Sequence, residues 1–295
     1  MTPHPTPFLG LDPELCDLAT ASVVVVPYGY EGGVSYGRGT AAAPSAVIKA
    51  SHYLERYDEV LDSEPCRVGI ATVTQPEIAE DPVTMLRTLE NLTGNLIDQG
   101  KFVAVIGGDH SITTGYVRAL AQRMDTFGVL QLDAHADLRD NYADSPLSHA
   151  CTMARLREIT PHTLQIGIRS MSVEEAQCVK RENLALCSMH QFRKGDFDLS
   201  AELARLPDNL FITVDVDVFD WSVIASTGTP EPGGMGWYEA LDLLEVVFRI
   251  KTIIGFDVVE LAYRDHDANS PFATAKLIYK MIGMKYAKKM CNIQP

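Results

Sequence analysis

Short apolar runs recur along the chain at residues 23–26, 67–70, 102–106, 127–132, 164–168, 184–187, 210–214 and 253–259. Rich in valine, isoleucine and leucine and bounded by polar or glycine-containing stretches, they predict about eight buried strands. Between them the apolar residues fall at helical spacing over 82–99, 111–124, 173–182, 237–250 and 272–287. Pro82 and Pro271 suit first-turn positions, and Ser172 suits a cap ahead of Glu174 and Glu175. Strand alternating with helix predicts a three-layer α/β/α fold with a mostly parallel sheet of about eight strands. No repeat or internal boundary interrupts the pattern, so residues 1–295 read as a single domain. The proline-punctuated residues 1–20 are expected to form a surface segment or to reach a neighbour.

Three of the predicted strands run into clusters of aspartate and histidine: Gly107-Gly108-Asp109-His110-Ser111, Asp133-Ala134-His135-Ala136-Asp137 and Asp215-Val216-Asp217. In an open parallel sheet, loops converge beyond the carboxyl ends of the strands, so the clusters should meet there. Taken singly, an aspartate after a strand reads as a helix cap and a histidine as an ordinary core or surface residue. Taken together, their carboxylates would repel one another unless cations lay between them. Extended backbone turns alternate side chains to one side, ~6.5 Å apart per two-residue step, which groups Asp133, His135 and Asp137, and likewise Asp215 with Asp217. With His110 the set is four carboxylates and two imidazoles, harder and richer in oxygen than structural zinc sites, and two Mn²⁺ ions per subunit fit it. Their four positive charges would balance the four aspartates.

Composition narrows the partners. A formal charge of −14 disfavours nucleic-acid phosphates and favours a small cationic ligand. No stretch is long and apolar enough for a membrane span, and no basic segment leads into an apolar one at the start, so a cytoplasmic location is expected. The six cysteines are scattered without a C-x-x-C pair, which argues against a zinc ribbon or a disulfide framework. The glycine-rich residues 29–39 lack the ending of a phosphate-binding loop and read as an active-site or packing loop.

The clusters, together with Pro27-Tyr28-Gly29, Gly32-Gly33-Val34-Ser35-Tyr36, Ser148-His149-Ala150-Cys151, Gly228-Thr229-Pro230-Glu231-Pro232-Gly233-Gly234 and Asp257-Val258-Val259-Glu260, resemble the ureohydrolase superfamily. These are manganese enzymes that include arginase, agmatinase, guanidinobutyrase and formimidoylglutamase. The resemblance covers most of the chain and implies an arginase-like fold. It implies that His110, Asp133, Asp137 and Asp215 hold one Mn²⁺, and that Asp133, His135, Asp215 and Asp217 hold the other. It also implies that His149 shuttles protons beside the substrate, that Glu260 pairs with the guanidinium nitrogens, and that the chain forms a homotrimer or homohexamer. A water shared by two divalent ions ionises near neutral pH and could attack the shielded guanidinium carbon. Asp137 is the candidate for protonating the departing nitrogen. The structural alternatives are that His149 bonds a loop carbonyl and that Glu260 pairs with a surface lysine.

The Thr229–Gly234 and Ser148–Cys151 stretches look most like agmatinases, which convert agmatine to putrescine and urea. Glu231 would then add negative potential at the mouth or order its own Pro-Gly loop. Arg139 stands where arginase-like members usually carry an asparagine, and could meet a carboxylate-bearing substrate instead. Residues 71–75 and Cys151 depart from many agmatinases. The competing readings are a guanidinobutyrase or other guanidino-acid hydrolase and, from another class, a catalytically silent metal or polyamine binder. A formimidoylglutamase lacks obvious basic partners for its diacid tail, and a single-zinc deacetylase would lack the second-metal histidine, His135.

Overall fold

The structure, a computed structural model, describes residues 1–290. The predicted strand runs are buried on both faces, as a sheet covered by helices requires. They form β1 (Val23–Tyr28), β2 (Ile70–Thr72), β3 (Phe102–Gly107), β4 (Gly128–Leu132), β5 (Thr163–Ile168), β6 (Leu186–Ser188), β7 (Asn209–Asp215) and β8 (Thr252–Val259). The sheet order is β2-β1-β3-β8-β7-β4-β5-β6, and every pairing is parallel. The expected three-layer arrangement is therefore present, with no antiparallel strand in the sheet.

Alternate side chains of each strand feed two cores. Val23, Val25, Leu130, Ile212 and Phe256 pack with helices Ala43–Ser51, Trp237–Ile250 and Asn269–Met290 on one face. Val24, Val103, Val105, Val129 and Phe211 pack with Pro82–Asp98, Thr113–Ala121 and Thr152–Ile159 on the other. Pro82 opens its helix beside the Asp81 cap. Ser172 caps Val173–Glu182 through a reciprocal pair with Glu175.

Some boundaries differ from expectation. The run at 67–70 is mostly a 3₁₀ turn, Pro65–Val68, and β2 begins only at Ile70, because Gly69 takes a left-handed φ of 78° between them. Cys66 and Val68 are buried all the same, so hydrophobicity alone did not distinguish turn from strand. Residues 2–11 run against the outer strand β2: His4 N–H donates to the Thr72 carbonyl and Phe8 N–H to the Thr72 hydroxyl. Phe8, Leu9 and Leu11 are buried there, covering an edge that would otherwise be open. No described helix is long and apolar enough to cross a membrane. The five described cysteines are free thiols, and Cys291 lies outside the described residues.

Candidate active site and metal centre

The four central strands, β3, β8, β7 and β4, deliver the predicted site residues to one end of the sheet. Within each cluster the aspartates divide their labour. Asp215 Oδ1 accepts the Asp217 N–H at 2.9 Å, Asp133 Oδ1 accepts the His135 N–H at 2.6 Å, and Asp217 Oδ1 accepts the Ala134 N–H at 2.9 Å. The capping role is thus real, and it leaves a second oxygen on each residue for the site. His110 Nδ1 lies 3.0 Å from Asp133 Oδ2, 3.3 Å from Asp137 Oδ2 and 3.4 Å from Asp215 Oδ2. His135 Nδ1 lies 2.9 Å from Asp217 Oδ2 and 3.7 Å from Asp133 Oδ1. All six predicted ligands come together.

They do so by turning rather than by lying in extended backbone. Residues Val216–Val218 form a 3₁₀ turn, and Asp137 adopts a left-handed φ of 52°. Past β4 the sheet pairing dwindles to an isolated bridge between His135 and Ser170, and past β7 the chain turns, so the alternation expected of a strand does not carry through to Asp137 or Asp217. Two overlapping groups could each hold a metal ion: His110 with Asp133 and Asp137, and Asp133 with His135 and Asp217. Asp133 is common to both, and Asp215 adjoins the first.

The donors present fit such ions. His110 Nδ1 and Asp217 Oδ2 are buried and face opposing groups at close range, yet neither makes a hydrogen bond of good geometry, a costly state unless something polar or charged stands between them. The other nitrogen of His110, Nε2, lies 2.8 Å from the Thr213 hydroxyl, which fixes the ring so that Nδ1 faces inward. Without cations the imidazoles carry the compensation. Burial alone would depress His110, but the surrounding carboxylates of Asp133, Asp137 and Asp215 hold it well above its ordinary value. Burial likewise works against His135, and the carboxylates of Asp217 and Asp133 still push it up to about 12. Asp215 is raised well above the usual carboxylate range by burial and by repulsion from Asp217 and Asp133.

The other predicted residues surround this centre. Glu260, buried with a left-handed φ of 65°, accepts the His110 N–H on Oε1 at 2.7 Å. His149 Nε2 lies 3.4 Å from the Ser35 hydroxyl, and its ring meets Tyr142 edge-on at 5.9 Å. His135, Asp137, Arg139, Tyr142 and His149 line a cavity of about 230 Å³. Glu231 Oε1 lies 3.9 Å from His135 Nε2. Arg139 is partly engaged already, with Nε 3.7 Å from Glu175 Oε2 and its guanidinium over the Tyr142 ring at 5.2 Å. A larger cavity of about 480 Å³ opens elsewhere, among Leu241, Phe248, Lys280 and Met284, and holds none of these residues.

Several contributors had no role assigned from sequence. Asp109 accepts the Gly33 N–H at 2.7 Å and the Ser111 N–H at 3.0 Å, which pins the glycine-rich loop beside His149. That loop comes so close that a Cβ on Gly108 would sit 1.8 Å from the Tyr30 carbonyl. Gln165 donates to Gln131 at 2.5 Å, and Gln131 donates to Asp133 Oδ2 at 2.6 Å, a buried relay beneath the shared carboxylate. The available signal was a glutamine inside each of two otherwise apolar strands. Cys151 is buried, and burial pushes its thiol up to about 11, against any role as a nucleophile.

An all-parallel sheet whose central strand ends gather carboxylates and histidines able to hold metal is an α/β fold built around a candidate metal centre. A model of the arginase family matches residues 21–283. The chain is 39% identical over 275 residues to the N(1)-aminopropylagmatine ureohydrolase of Synechocystis sp., covering 90% of this chain and 89% of that protein. It is 29% identical to the agmatinase of Pyrococcus horikoshii, covering 91% and 93%. The crystal structure of the agmatine ureohydrolase of Thermoplasma volcanium superposes with a TM-score of 0.84 at 28% identity, covering 92% and 93%. The chain belongs to the arginase family, and the relatives it matches bear the names of agmatinases and ureohydrolases.

Proposed function

We propose that the chain hydrolyses a linear guanidino amine to urea and the corresponding amine, with two Mn²⁺ ions held by His110, His135, Asp133, Asp137, Asp215 and Asp217. The observation that carries this reading is the convergence of two ligand groups on Asp133, with His110 Nδ1 and Asp217 Oδ2 buried without a well-aligned hydrogen bond. The oxygen-rich donor set favours manganese over a thiolate-seeking metal. When bound, the ions would supply water activation and positive polarisation at the guanidinium carbon.

The remaining steps fall to side chains. Glu260, one oxygen fixed by the His110 amide, offers the other to guanidinium N–H groups in charge-assisted hydrogen bonds. Asp137 returns a proton to the departing nitrogen, and His149 on the cavity wall exchanges it with solvent. Glu231 supplies negative potential for the cationic tail. Arg139, already beside Glu175 and Tyr142, is less available to a substrate carboxylate, which favours amines over guanidino acids.

Agmatine, a guanidino group and a cationic amine joined by a linear chain, fits this description. N(1)-aminopropylagmatine is a second reading, favoured by relatives bearing that activity in their names from Synechocystis sp. and, at 34% identity, from Thermus thermophilus. Assembly as a homotrimer or homohexamer belongs to the same proposal. After incubation with Mn²⁺, urea release should be measured from agmatine, N(1)-aminopropylagmatine, arginine and 4-guanidinobutyrate. The two amines should be preferred in kcat/KM by about 100-fold or more, since an unpaired carboxylate would face acidic walls. No urea from any of the four would leave the silent binder as the better account.

A further inference from the structure

Arg169, just beyond β5, directs its donors in a way the acidic surroundings do not predict. It forms no ion pair among the described residues. Its guanidinium instead donates to main-chain carbonyls: Nε to Pro232 at 3.1 Å, Nη1 to Gly167 at 3.3 Å, and Nη2 to both Asp217 at 2.5 Å and Glu231 at 2.9 Å. A single nitrogen therefore bridges the turn carrying a predicted metal ligand and the loop carrying Glu231.

That loop has little else to hold its tip. Its base is pinned where the Gly228 carbonyl accepts the Gly37 N–H, and its far end where Met235 pairs with Phe219 and Arg193 donates to the Gly234 carbonyl. Between these anchors, among the described residues, the hydrogen bonds to the backbone of 229–233 come from Arg169. Pro230 and Pro232 have no N–H to offer, and Gly233 turns the chain with a φ of 78°. The direction of the Glu231 side chain, 3.9 Å from His135, follows from how this tip is held.

We propose that Arg169 is a positioning residue that ties the Asp217 turn to the 229–233 tip and thereby aims Glu231 at the cationic end of the substrate. This rests on the reading of Glu231 as facing that tail. A lysine would keep the charge but present three donors from one point, and could not span carbonyls on three segments.

The test uses the full chain with Arg169→Lys, first without metal, by hydrogen exchange. The Met235 amide, which donates to the Val218 carbonyl at the far end of the tip, should exchange about tenfold faster or more than in the unaltered protein, while β4 remains unchanged. With Mn²⁺ added, KM for agmatine should rise about tenfold with kcat within about threefold. Adding Glu231→Gln to Arg169→Lys should raise KM no further. Unchanged exchange at the Met235 amide, or a fall in kcat with KM unaltered, overturns the proposal. If Arg169→Lys fails to fold, the unaltered protein still decides: the Met235 amide should be as protected as that of Asp220, which donates back to the Met235 carbonyl, and rapid exchange at Met235 refutes the tie. Exchange needs no substrate, so a protein that releases no urea yet shows the expected exchange loses the functional reading, and with it the aim of Glu231, but keeps the Arg169 tie.

Discussion

The two histidines of the site occupy different worlds. The His110 side chain is 1% exposed, faces three carboxylates and is braced from behind by Thr213. The His135 side chain is 24% exposed, has Asp217 and Asp133 for neighbours and looks past Glu231 into the cavity. The inner position is built into the core, whereas the outer one belongs as much to the substrate's entrance. An inner ligand should therefore support fold and metal together, and an outer ligand mainly metal and turnover.

Removing the residue common to both positions erases the contrast and should have the largest effect. Asp133→Ala is expected to lose both metals and at least about 1,000-fold in kcat/KM, since metal activation of water is lost outright. Elemental analysis after dialysis, paired with urea release, checks this, and retention of two tightly held Mn²⁺ would refute the shared role. Next, His149→Ala should keep both metals while kcat falls by about 100-fold or more, the usual scale for a proton-transfer group. An unchanged rate between pH 7 and 9 removes His149 from the chemistry.

The comparison itself is sharpened by His110→Ala against His135→Ala. The inner change strands three buried carboxylates and should destabilise the metal-free protein by about 3–5 kcal/mol, as breaking a buried pair does. The outer change should cost clearly less, and equal losses in denaturant unfolding would show that depth does not distinguish the two.

The smallest effect is a dependence on pH. Both imidazoles bind protons more tightly in the folded, metal-free chain than when unfolded. Their stabilising contribution is complete below about pH 6.5 and is lost as pH rises toward the folded values, about 12 for His135. Asp215, also raised, acts in the same direction, because its folded form retains a proton the unfolded chain releases. Metal-free protein should thus melt at progressively lower temperature from pH 6 to 9, and the increment from Mn²⁺ should widen. Thermal scans with and without chelator read both trends; a constant increment counts against the cluster.

The sequence made the candidate ligands legible because such chemistry needs particular residue types at fixed spacing within one turn, as in Asp133-Ala134-His135-Ala136-Asp137. The strands were legible because burial on both faces writes an uninterrupted apolar run. Helices such as Met189–Lys194 and Leu199–Arg205 were not, being too short to establish a 3.6-residue period. Arg169, Asp109 and Gln165 escaped for a different reason. They act on main-chain groups or on partners brought near only by folding, and such roles leave no local pattern.

The sheet order has a consequence for how this protein is born. β7 and β8 are made last among the strands, yet they lie between β3 and β4. A nascent chain that has emerged only as far as β6 therefore has His110 and Asp133 on two unjoined half-sheets. Ion capture at full strength must wait for the final third of translation, which spares the unfinished polypeptide from being locked prematurely around a metal.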